Sequence, residues 1–127
     1  MRLWHKSLIH HLPRQQLLGQ HRECCALRGD GWGRKHSTVN YVFDHPRSWL
    51  VRFHLGVIQE MERRGYRVEP LWLDPTYRGR RLGHQALDAE LSEARDYPEH
   101  CQGYLSECLE NLKGKGIILQ QDNQWTN

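Results

Sequence analysis

Residues 46–65, PRSWLVRFHLGVIQEMERRG, carry the pattern on which the fold turns. Leu50, Phe53, Val57 and Met61 fall at i, i+3, i+7 and i+11, a spacing that puts apolar side chains on one face of an α-helix. A helix from about Pro46 to Arg64 is expected, opened after Asp44 as a candidate cap near Pro46 and closed at Gly65. Upstream, Pro13 to about Leu27 reads as a second helix, because proline suits a first turn whose N–H has no partner. Leu17, Leu18, His21, Cys24 and Cys25 share one side of it, Glu23 lies opposite, and Gly29 stops it. Gly19 and Ala26, on the Glu23 side, leave the backbone open to a ligand.

Downstream, Leu87, Leu91 and Ala94 suggest a helix over about Gly83 to Asp96. Cys101, Leu105, Cys108 and Leu112 suggest another that starts at Pro98 and ends in Lys113-Gly114-Lys115-Gly116. Tyr66–Leu82, rich in Pro, Trp and Arg, reads as a long ordered loop between the second and third helices. Ile117–Leu119 reads as a short strand or a packed tail. The expected fold is mainly α, one domain of about four helices over residues 1–127, a length that supports one modest core.

Of the 127 residues, 38% are hydrophobic and 26% charged, which suits a globular chain rather than a disordered one. No apolar run reaches the roughly 20 residues of a membrane span, and MRLWHKSLIHHLP lacks the continuous apolar core of a signal peptide. A cytoplasmic, monomeric protein without membrane contact is expected. The four cysteines lack CxxC spacing and read as buried structural thiols. The nine histidines include no HExxH and read as surface or half-buried residues, so no metal and no cofactor is expected. Trp49 and Trp72 read as core residues, Trp4 and Trp32 as neighbours of a working face.

The net charge of +3 is unevenly spread. Residues 1–67 hold 12 Lys/Arg against 5 Asp/Glu, whereas residues 83–127 hold 3 against 8. One face of such a molecule attracts anions, and nucleic acid is the obvious large one. Arg34, Lys35 and His36 precede the segment Val39-Asn40-Tyr41-Val42-Phe43-Asp44, and cations interleaved with aromatics suit phosphate contact and base stacking. Glu23 is an acid set among these cations. A carboxylate there weakens DNA affinity, so its presence suggests chemistry rather than docking.

Several motifs occur together in order: Gln15-x-Leu17-Leu18-x-x-x-Arg22-Glu23, Arg34-Lys35-His36, Val39 to Asp44, Arg64-Gly65-Tyr66, and Tyr77-Arg78-Gly79 followed by His84. With them, about residues 1–97 resemble the pyrimidine-dimer DNA glycosylase family, the phage endonuclease V type. The resemblance implies a DNA repair enzyme that acts, without metal, on double-stranded DNA bearing a pyrimidine-dimer-like lesion or an abasic site. It implies base excision by the N-terminal α-amine, an imine intermediate, and an AP lyase step that cleaves the strand as an endonuclease would. On this basis Met1 and Glu23 are the expected catalytic groups. Arg2, Arg14, Arg22, Arg34, Lys35, His36 and Arg78 are the expected DNA contacts.

The chain departs from the family at two places. Arg2 is a large residue where the phage enzymes expose a small one, so Met1 is expected to be retained and its own amine to be the nucleophile; Lys6 is the substitute. Residues 98–127 do not resemble the aromatic, basic tail of the phage enzymes. Two other readings stay open: a nucleic-acid-binding protein that keeps the scaffold without catalysis, and a protein-interaction domain whose acidic last third binds the partner.

Overall fold

A computed structural model describes residues 2–29 and 38–119. Among the described residues there are three α-helices, α1 (Arg14–Arg28), α2 (Arg47–Arg63) and α3 (Gln102–Gly114), and four short 3-10 turns, one ahead of α1 at Lys6–His11 and the others at Asn40–Asp44, Pro70–Leu73 and Leu91–Glu93. Among the described residues there is no strand, only one isolated bridge between Tyr77 and His84. The fold is mainly α, as the apolar spacing indicated.

α2 is the central element. Leu50, Val51, Val57, Ile58 and Met61 are buried along it, and Gly65, at φ 84, ends it. The N–H groups of Gly65 and Tyr66 return to the carbonyls of Glu62 and Met61, both at 2.9 Å, a wrap that a positive φ permits. Asp44 does not cap the helix. Pro46 holds the cap position without a side-chain bond, and the Asp88 carboxylate accepts from Arg47 N–H at 3.1 Å.

The N-terminal segment packs Leu3, Trp4, Leu8, Ile9 and Leu12 into the same cluster as α1, α2 and α3. Arg64 fastens it from α2, donating to the carbonyls of Leu12 (2.8 Å) and His10 (3.2 Å). Glu60, fully buried beside it, receives Arg63, Arg64 and His10.

Three expectations are corrected. The expected helix over 83–96 is not formed. Arginines of α2 take its carbonyls instead: Arg47 Nη2 binds those of Gln85 (3.1 Å) and Ala86 (2.8 Å), and Arg52 Nη1 binds that of Ala94 (2.6 Å). Carbonyls engaged by side chains, and Gly83 at φ 64, leave only the 3-10 turn Leu91–Glu93. The last helix begins at Gln102, so Cys101 is its cap and is exposed, not a buried thiol; Cys24 and Cys108 are buried and Cys25 is half-buried. Finally, the buried face of α1 is Leu17, Gln20, Cys24, Leu27 and Arg28. Leu18, His21 and Cys25 are only half-buried. The face is rotated toward the N-terminal segment, which brings Glu23 from the far side to the edge of the core.

Ile117 and Leu119 pack against the main cluster as a tail, with Ile118 exposed between them. Trp49 is partly buried against that cluster.

Candidate active site

The rotation of α1 builds a cleft of about 260 Å³ beside Glu23. Gln16, Gly19, Gln20 and Glu23, at i, i+3, i+4 and i+7, form one helical wall. Arg2 and Trp4 line it from the N-terminal segment, Asn111 from α3, Lys115 from the cap that ends α3, and Thr38 from the chain between α1 and α2. Leu3 and Leu8 of the segment are fully buried, while Arg2 and Trp4 remain at the cleft.

Glu23 Oε1 is buried and has no hydrogen-bond partner among the described residues. Burial pushes its carboxyl above the ordinary value of 4.5, and the positive charge of the chain's amino terminus works against that rise. An unmet buried acceptor costs roughly 1–3 kcal/mol; other unpartnered side-chain atoms occur among the described residues, at Asn40, Ser48 and Tyr97 for example, but the one at Glu23 belongs to a carboxylate and lines a cleft.

Gln20 is 2% exposed. Its Oε1 accepts from Trp4 N–H at 2.6 Å and its Nε2 donates to the Arg2 carbonyl at 3.1 Å. From α3, the Tyr104 hydroxyl donates to the Leu3 carbonyl. Three consecutive residues of the N-terminal segment are thus each tied to a helix by a side chain.

A second cleft, of about 370 Å³, opens on the other flank of α1. Arg22, Arg78, Arg80 and Arg81 line it together with Trp72. Its inner wall rests on Arg28, which is fully buried. Arg28 donates to the carbonyls of Trp72 (2.9 Å), Asp74 (2.7 Å) and Tyr77 (2.8 Å), and to His54 Nδ1 (3.1 Å). A donor at Nδ1 places the His54 proton on Nε2, which faces His21 Nδ1 at 2.8 Å. Burial keeps both imidazoles below their ordinary value, hence neutral.

The ligand atoms of His21, Cys25 and His54 lie within 4.8 Å of one another, a grouping that the sequence did not suggest. Metal-bound histidines present their second nitrogen as an N–H to an acceptor. Here that nitrogen meets a guanidinium, itself a donor and a cation. The group has the chemistry of a hydrogen-bonded chain, and burial pushes the Cys25 thiol up to about 12, away from thiolate.

The expected site residues therefore divide. Arg2 and Glu23 line the first cleft; Arg22 and Arg78 line the second. Arg14 is in neither and stacks over the Tyr66 ring at 5.5 Å. Lys6, the substitute nucleophile, pairs with Asp96 away from Glu23. Met1, Arg34, Lys35, His36 and Trp32 lie outside the described residues. Of the tryptophans, Trp4 both lines the Glu23 cleft and is buried, and Trp72 is half-buried at the second cleft. Sequence reasoning missed Gln20, Asn111 and Lys115. The visible signals were a glutamine three residues before Glu23, and an Asn/Lys pair at i, i+4 across the end of the last helix.

The first cleft sets two cations, Arg2 and Lys115, around an unpartnered carboxylate, an arrangement with the chemistry to attract an anion and to hold a proton. A family profile described as pyrimidine dimer DNA glycosylase matches residues 1–74. The chain belongs to the pyrimidine dimer DNA glycosylase family, and DNA is the substrate class that this membership gives. Comparisons with curated proteins and with solved structures find no match. Among the described residues no helix is long and apolar enough to cross a membrane.

Proposed function

We propose that this protein excises a damaged pyrimidine from duplex DNA and then cleaves the strand at the abasic site, with the Met1 α-amine as nucleophile and Glu23 as proton carrier. The observation that carries this reading is the buried, unpartnered oxygen of Glu23 in a cleft it shares with Arg2. Arg2 is one residue from the amine, and consecutive Cα atoms are about 3.8 Å apart.

The neutral amine attacks C1′, the N-glycosidic bond breaks, and the base leaves with the bonding pair and takes up a proton. The amine nitrogen loses its protons as the sugar ring opens, so that O4′ becomes a hydroxyl and an imine joins enzyme to sugar. Removal of a C2′ proton then expels the 3′ phosphate by β-elimination. A free α-amine has a pKa of about 7.7–8.0, which leaves a useful neutral fraction near pH 7. A carboxyl raised by burial is suited to hold a proton and return it. Arg2 and Lys115 supply positive charge for the phosphates on either side of the reacting sugar. Arg34 and Lys35, in the basic first half of the sequence, serve docking.

Borohydride reduces an imine to a stable amine and so traps the intermediate. Untagged protein is expected to be trapped on duplex DNA with an abasic site. Protein with extra residues ahead of Met1 should bind that DNA but not be trapped. Equal trapping of the two forms would move the nucleophile elsewhere, with Lys115, the lysine that lines the cleft, the first to examine. No trapping of either form, with binding retained, would leave a DNA-binding protein on the family scaffold.

A further inference from the structure

We propose that Gln20 is a positioning residue which, with Tyr104, clamps residues 2–4 between α1 and α3 and so holds the chain's amino terminus at Glu23. The inference rests on the amine reading above and extends it to residues that this reading does not require.

A buried amide is costly unless its donor and acceptor are both met. Gln20 meets both, and it does so with main-chain groups two residues apart, the Arg2 carbonyl and the Trp4 N–H. A side-chain amide that bonds a C=O and an N–H on one edge of a segment copies what a neighbouring strand would do. It therefore fixes the direction of the segment as well as its position. Leu3, between the two bonded residues, is fully buried and offers its carbonyl to Tyr104. The segment is held from opposite sides, with no freedom to slide along either helix.

The spacing gives the clamp its use. Gln20 precedes Glu23 by three residues, about 4.5 Å along the helix axis. Arg2, bonded by Gln20, directly follows the amino-terminal residue. The clamp thus leaves one peptide unit between a fixed main-chain group and the amine, and three residues of α1 between its anchor and Glu23. Preorganisation of this kind is worth far more than contact alone, because a misplacement of 1 Å can lower a rate about 10²-fold. Tyr104 lies beyond residues 1–74, so this half of the clamp belongs to the part of the chain that the family profile does not match.

Bond satisfaction alone would make Gln20 a purely structural residue, and the test separates the two roles. Gln20→Leu removes both bonds at similar volume, Gln20→Glu keeps the acceptor for Trp4 N–H and loses the donor to Arg2, and Tyr104→Phe removes one hydroxyl. Val57→Ala, a cavity in α2 away from the cleft, controls for lost stability. Two readouts are taken: trapping rate on abasic duplex at saturating protein, and the pH profile of α-amine acylation without DNA, read by mass spectrometry of the first peptide.

In the wild type the acylation midpoint should lie above about 7.7–8.0, because the Glu23 charge favours the ammonium. Gln20→Leu should return it to that range and slow trapping about 10²-fold. Gln20→Glu and Tyr104→Phe should slow trapping about 10-fold, and Val57→Ala should leave both readouts within twofold. A Gln20→Leu protein that traps at the wild-type rate, or keeps the wild-type midpoint, overturns the clamp. If the wild type is never trapped while Gln20→Leu still moves the midpoint, the amine is not the nucleophile and the clamp stands. If Val57→Ala moves both readouts as far as Gln20→Leu does, the effect is one of stability and the clamp falls.

Discussion

Glu23→Gln should push stability and activity in opposite directions. The wild-type carboxylate sits at the edge of the core with one oxygen buried and unpartnered. Its folded pKa is raised by burial, against the pull of the amino-terminal charge. The sign follows directly. The folded state holds this proton more tightly than the unfolded state, so stability falls as pH rises through the window between the two values. The penalty is complete above that window and absent below the ordinary 4.5. A glutamine has the same shape, carries no charge and still leaves a polar atom short of a partner, so only part of the penalty of roughly 1–3 kcal/mol is relieved. A gain on the order of 1 kcal/mol is expected at pH 7, or about 3–5 °C in Tm for a chain of this size. Thermal unfolding by circular dichroism, at pH 7 and again near pH 4, measures it; the gain should disappear at the lower pH. Strand cleavage at pH 7 should fall by about 10²–10⁴, the usual worth of a positioned proton carrier, while DNA affinity holds or rises. A variant less stable than the wild type at pH 7 would mean that Glu23 is paired. One that cleaves at the wild-type rate would remove it from the chemistry.

Glu60→Gln should destabilise by about 3 kcal/mol at neutral pH, as for a buried ion pair that loses one partner. The Arg63 hydrogen bond, against burial and helped by Arg64 and His10, holds the Glu60 carboxyl down to about 2. Its folded value lies below the ordinary 4.5, so the stabilisation is full above that value and lost as pH falls toward 2. Urea midpoints of the two proteins should converge over that range, and equal midpoints at pH 7 would refute the account. Arg28→Met should speed amide exchange across residues 72–85 more than in α3, since three carbonyls lose one donor; uniform exchange would show the segment held otherwise. DNA affinity should fall with salt by about 0.9 in log K per log salt for each phosphate neutralised. Arg34→Ala with Lys35→Ala should flatten that slope on every sequence, and an unchanged slope would clear both residues of phosphate contact.

Elements whose own side chains decide them were legible in the sequence. α2 is set by Leu50, Val57 and Met61 at helical period and by a glycine at its end, and α1 begins at its proline. Residues 83–96 carry a helical apolar spacing too, but their carbonyls are claimed by Arg47 and Arg52, whose reach across the fold no local pattern records. Glu23 was legible from its acidic character and its motif. Gln20 was not, because a glutamine on an amphipathic helix looks like a solvent residue until the segment it binds is seen beside it. Asn111 and Lys115 enter the cleft only through the packing of α3, a long-range event.

Arg28 binds the main-chain carbonyls of Trp72, Asp74 and Tyr77, and of their side chains it meets the Trp72 ring, over which its guanidinium lies at 5.1 Å. A guanidinium bound to three carbonyls holds the path of the segment whatever residues stand at Leu71, Leu73, Arg80 or Arg81. The rim of the arginine-lined cleft can therefore drift or be redesigned one residue at a time, with its anchor kept on the neighbouring helix. Changes in what this rim contacts are uncoupled from changes in whether the loop folds, which makes it the natural place to graft a new recognition surface.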